Sequence, residues 1–385
     1  MSGGGGPSSV RPGRFEEFTS GKDIGVDVSS IERELGSLWR HAAGADHDLA
    51  VTRACSWNLL VNVSDQVDTE IVRGLIDRVV AAVPSRAIVL VPSTQANGKE
   101  LEAFVSANCQ VAPGGGKLLC SEEITIQSYS GGDKHVPALV RALLVPDLPT
   151  ALFWAGIAPL DPRQIAYFPS VDRLVFDSSR GDPSSDFTPY ATLPRDKVLV
   201  DIAWLRTGFL RSMLASLFDP PTGAEPLSRI GRLRITATPL GLTGARLYAG
   251  WLATRLGWSL PPLASLTKDK PTVSGTAADG QPLAVELAIT EDRPRESGIA
   301  EIFLETRGPT PNEYSLADVG DGTLLSHASG LRSHAQVAAD LALERLVVAA
   351  LGTRGRDSLF RSALERVTGA SAALPAPLSP SATNR

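Results

Sequence analysis

Apolar residues recur at two spacings along this chain, and the pattern switches repeatedly between that of a helix and that of a strand. Ile31, Leu35, Leu38 and Trp39 fall on one helical face, with Ser29 or Ser30 placed to cap its start. Cys55 to Val63 then alternates, with Trp57, Leu59, Val61 and Val63 in step, which predicts a strand. Ile71, Leu75 and Val79, with Ile76 near the edge, mark a second helix. Ala87-Ile-Val-Leu-Val91 is a short unbroken apolar run, the pattern of a strand buried on both faces. Phe104 to Val111 and Leu118 to Tyr129 read as a hairpin whose strands are joined by a mobile loop through Gly114-Gly-Gly116. Val136 to Leu144 reads as a helix stopped by Pro146. Ala151 to Trp154 and Arg173 to Phe176 read as buried strands with a helical connection between them. Asp201 to Phe218 carries the longest helical stripe, Ile202, Leu205, Phe209, Met213 and Leu217, and Pro220-Pro221 end it. Ala245 to Trp258 is a further helix.

Strands alternating with helices over residues 26–262 predict an α/β domain built on a mixed or mostly parallel sheet covered by helices. The character changes near Pro261-Pro262. Short alternating runs, Leu283 to Ile289 and Ile299 to Leu304, predict a smaller β-meander over residues 263–370. Val337 to Leu351 and Leu359 to Val367 close that region as C-terminal helices. Residues 1–25 and 371–385 are rich in Gly, Ser and Pro or in Ala and Pro and lack periodicity, so they are expected to be a flexible leader and a flexible tail.

Composition narrows the function. With 385 residues, 43% apolar and 21% charged, the chain has the makings of a large core. A net charge of −5 gives no basic field to draw nucleic acid or an anionic membrane. The most apolar long stretch, Val198 to Phe218, carries Asp201, Arg206 and Arg211 and is a poor membrane span. The N-terminus lacks an apolar signal core. Three cysteines, Cys55, Cys109 and Cys120, form no C-x-x-C pair. An odd number at such spacing argues against a disulfide framework and a zinc ribbon, so buried, reduced thiols in a cytoplasmic protein are expected.

Catalytic signatures are missing. A dinucleotide site needs glycines where a strand turns into a helix, because only glycine lets the backbone approach pyrophosphate, and no G-x-G-x-x-G occurs. Neither a P-loop nor a G-x-S-x-G elbow is present. His41 and His47, and His327 and His334, lack the spacing that sets two imidazoles on one helical face. No cofactor, no metal and no catalytic activity are therefore expected. Asp177-Ser178-Ser179-Arg180 follows a predicted strand, where ligands of α/β proteins bind; the plain alternative is a polar loop with Asp or Ser as a helix cap. Arg53 and Arg86 precede strands and fit a structural ion pair or, less well, phosphate capture. Trp154, Trp204, Trp251 and Trp258 stand at core positions, although one or two could anchor an interface.

Several of these segments together resemble the OpcA family, the glucose-6-phosphate dehydrogenase assembly proteins. The likeness is carried by Thr52-Arg-Ala-Cys-Ser-Trp-Asn-Leu-Leu-Val61, Pro84-Ser-Arg-Ala-Ile-Val-Leu90 and Cys120-Ser-Glu-Glu-Ile-Thr-Ile126. Val145-Pro-Asp-Leu-Pro-Thr-Ala-Leu-Phe-Trp154 and Asp172-Arg-Leu-Val-Phe-Asp-Ser-Ser179 continue it. Asp201-Ile-Ala-Trp-Leu-Arg206, Phe218-Asp-Pro-Pro221 and Ala249-Gly-Trp-Leu-Ala-Thr-Arg-Leu-Gly-Trp258 complete it. The resemblance implies a non-catalytic assembly factor or allosteric activator whose partner is glucose-6-phosphate dehydrogenase, in the oxidative pentose phosphate pathway. Partner- or ligand-binding candidates within these blocks are Arg53, Arg86, Ser121, Glu122, Asp147 and Trp154. Asp177, Ser178, Ser179, Trp204 and Arg206 complete that set. The rival expectation is a sugar-phosphate-binding enzyme or small-ligand receptor, with Arg53, Arg86, Ser121, Glu122, Asp177 and Ser178 converging at a pocket on the sheet edge.

Overall fold

The computed structural model describes residues 16–19, 27–45, 50–64, 67–94, 99–111, 117–182, 185–219, 223–291, 297–320, 322–330, 333–337, 340–353 and 355–370. In chain order the elements begin with β1 (Glu16–Thr19), α1 (Val28–Ala45), β2 (Ala50–Arg53), β3 (Trp57–Val63), α2 (Thr69–Ala82) and β4 (Ser85–Pro92). Next come β5 (Leu101–Val111), β6 (Lys117–Ser128), α3 (Val136–Leu143), β7 (Thr150–Ala155), β8 (Arg173–Phe176), α4 (Thr188–Ala191) and β9 (Val198–Asp201). Then follow α5 (Ile202–Arg206), α6 (Gly208–Ser216), β10 (Ile230–Ala237), α7 (Leu242–Arg255), β11 (Thr272–Thr276), β12 (Pro282–Ile289) and β13 (Ile299–Thr306). β14 (Glu313–Gly320), β15 (Thr323–Ala328), β16 (His334–Val337), α8 (Leu343–Gly352) and α9 (Ser358–Thr368) end the series. These residues divide into two compact units: residues up to 182 with 195–208 and 339–357, and residues 183–194, 209–338 and 358 onward.

The first unit holds a nine-stranded sheet in the order β1-β5-β6-β4-β3-β7-β8-β9, with β2 paired to β6. From β6 through β9 all neighbours run parallel; β5 and β1 are antiparallel additions. Six consecutive residues of β4, Ser85 to Leu90, are buried, as a strand covered on both faces requires. One face packs against α2 and α8 around Leu59, Val61, Ile76, Val79, Phe153 and Val347. α2 starts where Asp68 accepts a hydrogen bond from the Glu70 amide. Its buried stripe is Val72, Leu75, Ile76 and Val79, an i, i+3, i+4, i+7 set. Ile71, expected on the core face, is instead 69% exposed.

The second unit holds a seven-stranded sheet in the order β11-β12-β10-β13-β14-β15-β16. β13 to β16 are an antiparallel meander, but β12 and β13 do not meet, because β10 lies between them, parallel to β12. α7 is buried nearly all round and packs on α9, where a Cβ on Gly250 would lie 2.7 Å from the Ala363 carbonyl oxygen. Only glycine permits that approach. Arg361 of α9 is buried and donates to the carbonyls of Ala191 and Leu193.

Three sequence expectations are corrected. Cys109 and Cys120 are joined by a disulfide, not held as reduced thiols; Cys55 remains a thiol. The two lie directly opposite one another in the β5–β6 hairpin, with Cα atoms 4.0 Å apart. Counting cysteines and spacings could not reveal a pair that strand register creates. The single helix expected from Asp201 to Phe218 is a strand end, β9, followed by α5 and α6. The break falls at Thr207-Gly208, where the Thr207 hydroxyl donates to the Trp204 carbonyl. The connection from β7 to β8 contains two 3-10 turns, Pro162–Gln164 and Phe168–Ser170. Within the expected leader, Glu16–Thr19 is a strand paired to β5. The rest of that leader, the Gly114–Gly116 loop and the expected tail lie outside the described residues.

Candidate functional site

The chain leaves β3 through α2 to β4 on one side, while β7 lies on the other side of β3. That reversal of strand order makes a crevice at the carboxyl ends of β3 and β7, the position where open α/β sheets bind ligands. The turn from β3 into α2 runs Ser64 to Asp68 without a glycine. The exit of β7 presses against it at Gly156, which has φ +123°. A Cβ there would lie 2.2 Å from Ser64 Oγ and 2.8 Å from Val67 Cγ2. This glycine therefore brings two protein segments together, where a nucleotide-binding glycine would admit a phosphate.

Between these segments is a cavity of about 60 Å³. Val67, Val72, Leu75, Phe153, Trp154 and Leu343 line it together with Ile71, the buried Asp177 and Arg180, of which Ile71 and Arg180 reach solvent and mark its edge. Pockets for cofactors and drug-sized ligands measure roughly 300–1,000 Å³, so a dinucleotide does not fit this one. The electrostatics agree. The helix N-terminus that would hold a pyrophosphate is capped by the Asp68 carboxylate, 2.9 Å from the Glu70 amide, and Glu70 adds a second carboxylate in the first turn.

Beside the rim, at the ends of β8 and β9, a polar cluster is folded in on itself. Asp177 accepts from the Ser179 amide at 3.2 Å and hydroxyl at 2.6 Å, and it pairs with Arg206 at 2.9 Å and Arg180 at 3.5 Å. Asp201 accepts from the Ser178 hydroxyl at 2.6 Å and from the amides of Ser178 and Ala203, capping α5. Burial pushes the Asp201 carboxyl up to about 7, with the nearby Asp177 charge adding to the rise; the hydrogen bonds from Ser178 and Ala203 oppose it. A serine hydroxyl on a carboxyl of that strength has the form of a nucleophile with its base. Ser178 is 3% exposed and Asp201 1%, however, so the hydroxyl and the carboxyl are turned to each other and away from solvent. The cluster is a pair of interlocked caps.

The remaining candidates, Trp154 apart, sit elsewhere in this unit. Arg86, at the start of β4, is 3% exposed; its Nε donates to Glu122 at 2.7 Å, and Nη1 donates to Glu32 at 2.7 Å and the Leu143 carbonyl at 2.9 Å. Trp39 donates to the other Glu122 oxygen at 2.8 Å. Burial works against the Arg86 charge, but the two carboxylates more than offset it and raise its pKa. Ser121 accepts from the Ser85 amide and donates to the Val80 carbonyl. Arg53 lies in β2 opposite Cys120. Asp147, at φ +64°, turns the chain before β7, where Asn58 straps the turn through the Val145 and Leu148 carbonyls. Trp204 is buried and donates to Asp357 at 2.7 Å. Trp154 pairs with Asn62 in the sheet and, with Asp177, borders the cavity at the carboxyl ends of β3 and β7.

Arg86, Ser121 and Glu122 thus gather at the amino end of the parallel strands, and Asp177, Ser178, Ser179 and Arg206 at the carboxyl end. The expected convergence of Arg53, Arg86, Ser121, Glu122, Asp177 and Ser178 at one pocket does not occur. Sequence reasoning missed Val67, Ile71, Gly156 and Leu343. The available signal was Ile71, which falls outside the tighter i, i+3, i+4, i+7 stripe of its helix.

Residues 77–192 match a family model described as the glucose-6-phosphate dehydrogenase subunit N-terminal domain, OpcA_G6PD_assem. Residues 197–364 match the corresponding C-terminal domain, OpcA_G6PD_C. The two matches are consecutive and together take in well over half of the chain. The chain belongs to the OpcA family. Among OpcA proteins, the OxPP cycle protein OpcA of Synechococcus elongatus is 29% identical over 181 residues, 46% of this chain and 40% of the relative. Those of Synechocystis sp. and Nostoc punctiforme are 26% and 28% identical over 193 and 186 residues. The match spans only 40% of the length of each of these relatives. Among solved structures, an oxidoreductase from Thermotoga maritima overlays with a TM-score of 0.40 and 6% identity, covering 80% of this chain and 96% of that one. An inositol dehydrogenase homolog complexed with NAD+ from Azotobacter vinelandii overlays at 0.36 and 11%, covering 82% and 85%.

Proposed function

We propose that this chain is a non-catalytic, cytoplasmic protein that binds glucose-6-phosphate dehydrogenase and favours its active oligomer. The observation that carries the reading is the narrow crevice at the β3–β7 reversal. A 60 Å³ apolar cavity and a helix N-terminus bearing Asp68 and Glu70 leave no seat for a nicotinamide dinucleotide. Membership of the OpcA family, whose models are described as dehydrogenase subunit domains, supports the choice of partner. The relatives' designation as OxPP cycle proteins supports a place in the oxidative pentose phosphate pathway. Among the described residues, no helix is long and apolar enough to cross a membrane. The physical logic is population shift: a partner with higher affinity for the active oligomer raises activity by that differential affinity.

The test combines calorimetry with NADP+ and sizing chromatography with the purified dehydrogenase of the same cell. The expected result is no heat of nucleotide binding and a co-eluting complex. Micromolar NADP+ binding to the chain alone would overturn the non-catalytic reading, and separate elution would overturn the partner reading.

A further inference from the structure

Three large apolar side chains stand in solvent on the segments that frame the cavity: Ile71 at its mouth, 69% exposed, and Ile157 and Leu160 in the loop leaving β7, 42% and 70% exposed. Ile157 directly follows Gly156, whose contact with Ser64 and Val67 fixes that loop against the β3–α2 turn. Solvent-facing aliphatics beside an apolar hollow are the anatomy of a protein-binding patch. The size of the hollow selects the occupant. It is too small for a cofactor, yet it suits one aliphatic side chain inserted from a neighbour, the usual form of an interface hot spot.

Charge narrows the occupant further. Arg180, 47% exposed at its side chain, stands on the rim. It lies 3.5 Å from Asp177, whose carboxylate is already engaged by Arg206 at 2.9 Å and by Ser179. Arg180 therefore faces solvent with a shared counter-ion, and a second carboxylate placed over it would be complementary.

We infer that the cavity at the carboxyl ends of β3 and β7 is the socket by which this chain grips its protein partner, receiving an aliphatic side chain that has an acidic residue beside it. This rests on the partner reading above and adds the surface and the chemistry of the contact.

The experiment measures the affinity of the full chain for the purified dehydrogenase, for wild type, Ile71→Asp and Arg180→Glu, with Leu240→Asp as a control. Ile71 is in the first turn of α2, where an aspartate favours the helix, so that variant is expected to fold. Arg180→Glu tests the rim independently of the apolar contact. Leu240, 71% exposed, lies in the other unit. The expected result is a loss of on the order of tenfold or more for Ile71→Asp and Arg180→Glu, with Leu240→Asp unchanged. A complex that forms with wild type and is indifferent to both substitutions overturns the socket and leaves the partner reading standing. No complex with wild type removes both.

Discussion

Asp201 illustrates how a residue can be legible in identity and hidden in consequence. The Asp177-Ser-Ser-Arg180 stretch already suggested a capping loop, and it is one. The partnership of Ser178 with Asp201, 23 residues on, needs β8 beside β9 and could not be read from spacing. A testable pH dependence follows. The Asp201 carboxyl is raised from 3.8 to about 7, so the folded chain holds a proton that the unfolded chain has released. Its contribution to stability is fully present below about pH 4 and is lost as pH rises through 7. Asp27, Glu100 and Asp161 are shifted the other way and act below that window. Denaturant unfolding should show stability falling from pH 4 to 7, with Asp201→Asn flattening that slope; an unchanged slope in the variant would contradict the assignment. At the other end of the sheet, removing Arg86 leaves Glu122 buried without its guanidinium. Arg86→Ala should cost about 3–5 kcal/mol in the same assay. Glu32→Gln, at a partner 41% exposed, should cost under about 1 kcal/mol.

At the scale of elements, periodicity located most strands and helices of the first unit because each is buried in a regular pattern. It failed where one apolar stripe runs through two elements, α5 and α6, because the break at Thr207-Gly208 leaves the helical spacing of apolar residues intact in the sequence. It also missed β10, whose arginines alternate with Ile230, Leu233, Ile235 and Ala237 and weaken the apolar signal. The β5–β6 hairpin carries the disulfide that cysteine counting argued against. Its closure spans a sequence separation of 11, for which loop entropy gives up to about 3 kcal/mol. Replacing Cys109 and Cys120 together with serine, or adding reductant, should lower the melting temperature. Equal melting with and without reductant would show that this bond adds nothing. Gly156→Ala should destabilise by about 1–3 kcal/mol, because it combines a left-handed backbone with a Cβ 2.2 Å from Ser64 Oγ. Melting of that variant at the wild-type temperature would mean the two turns can move apart.

At the scale of the whole molecule, the missing glycine fingerprint in the sequence goes with a crevice that the approach of Gly156 to Ser64 and Val67 narrows to a hollow of about 60 Å³. What composition and charge could not supply is the identity of a partner. The proposed partner rests on family likeness, and the surface inferred to meet it exists only where α2 and the β7 loop come together. The most direct test of the account is the initial rate of NADPH formation by a fixed, dilute amount of the dehydrogenase, titrated with this chain. The expected result is a rise that saturates at a constant ratio of the two proteins and is largest when the dehydrogenase is dilute, where its inactive state is most populated. A flat titration, or NADPH formed by the chain in the absence of the dehydrogenase, would contradict it.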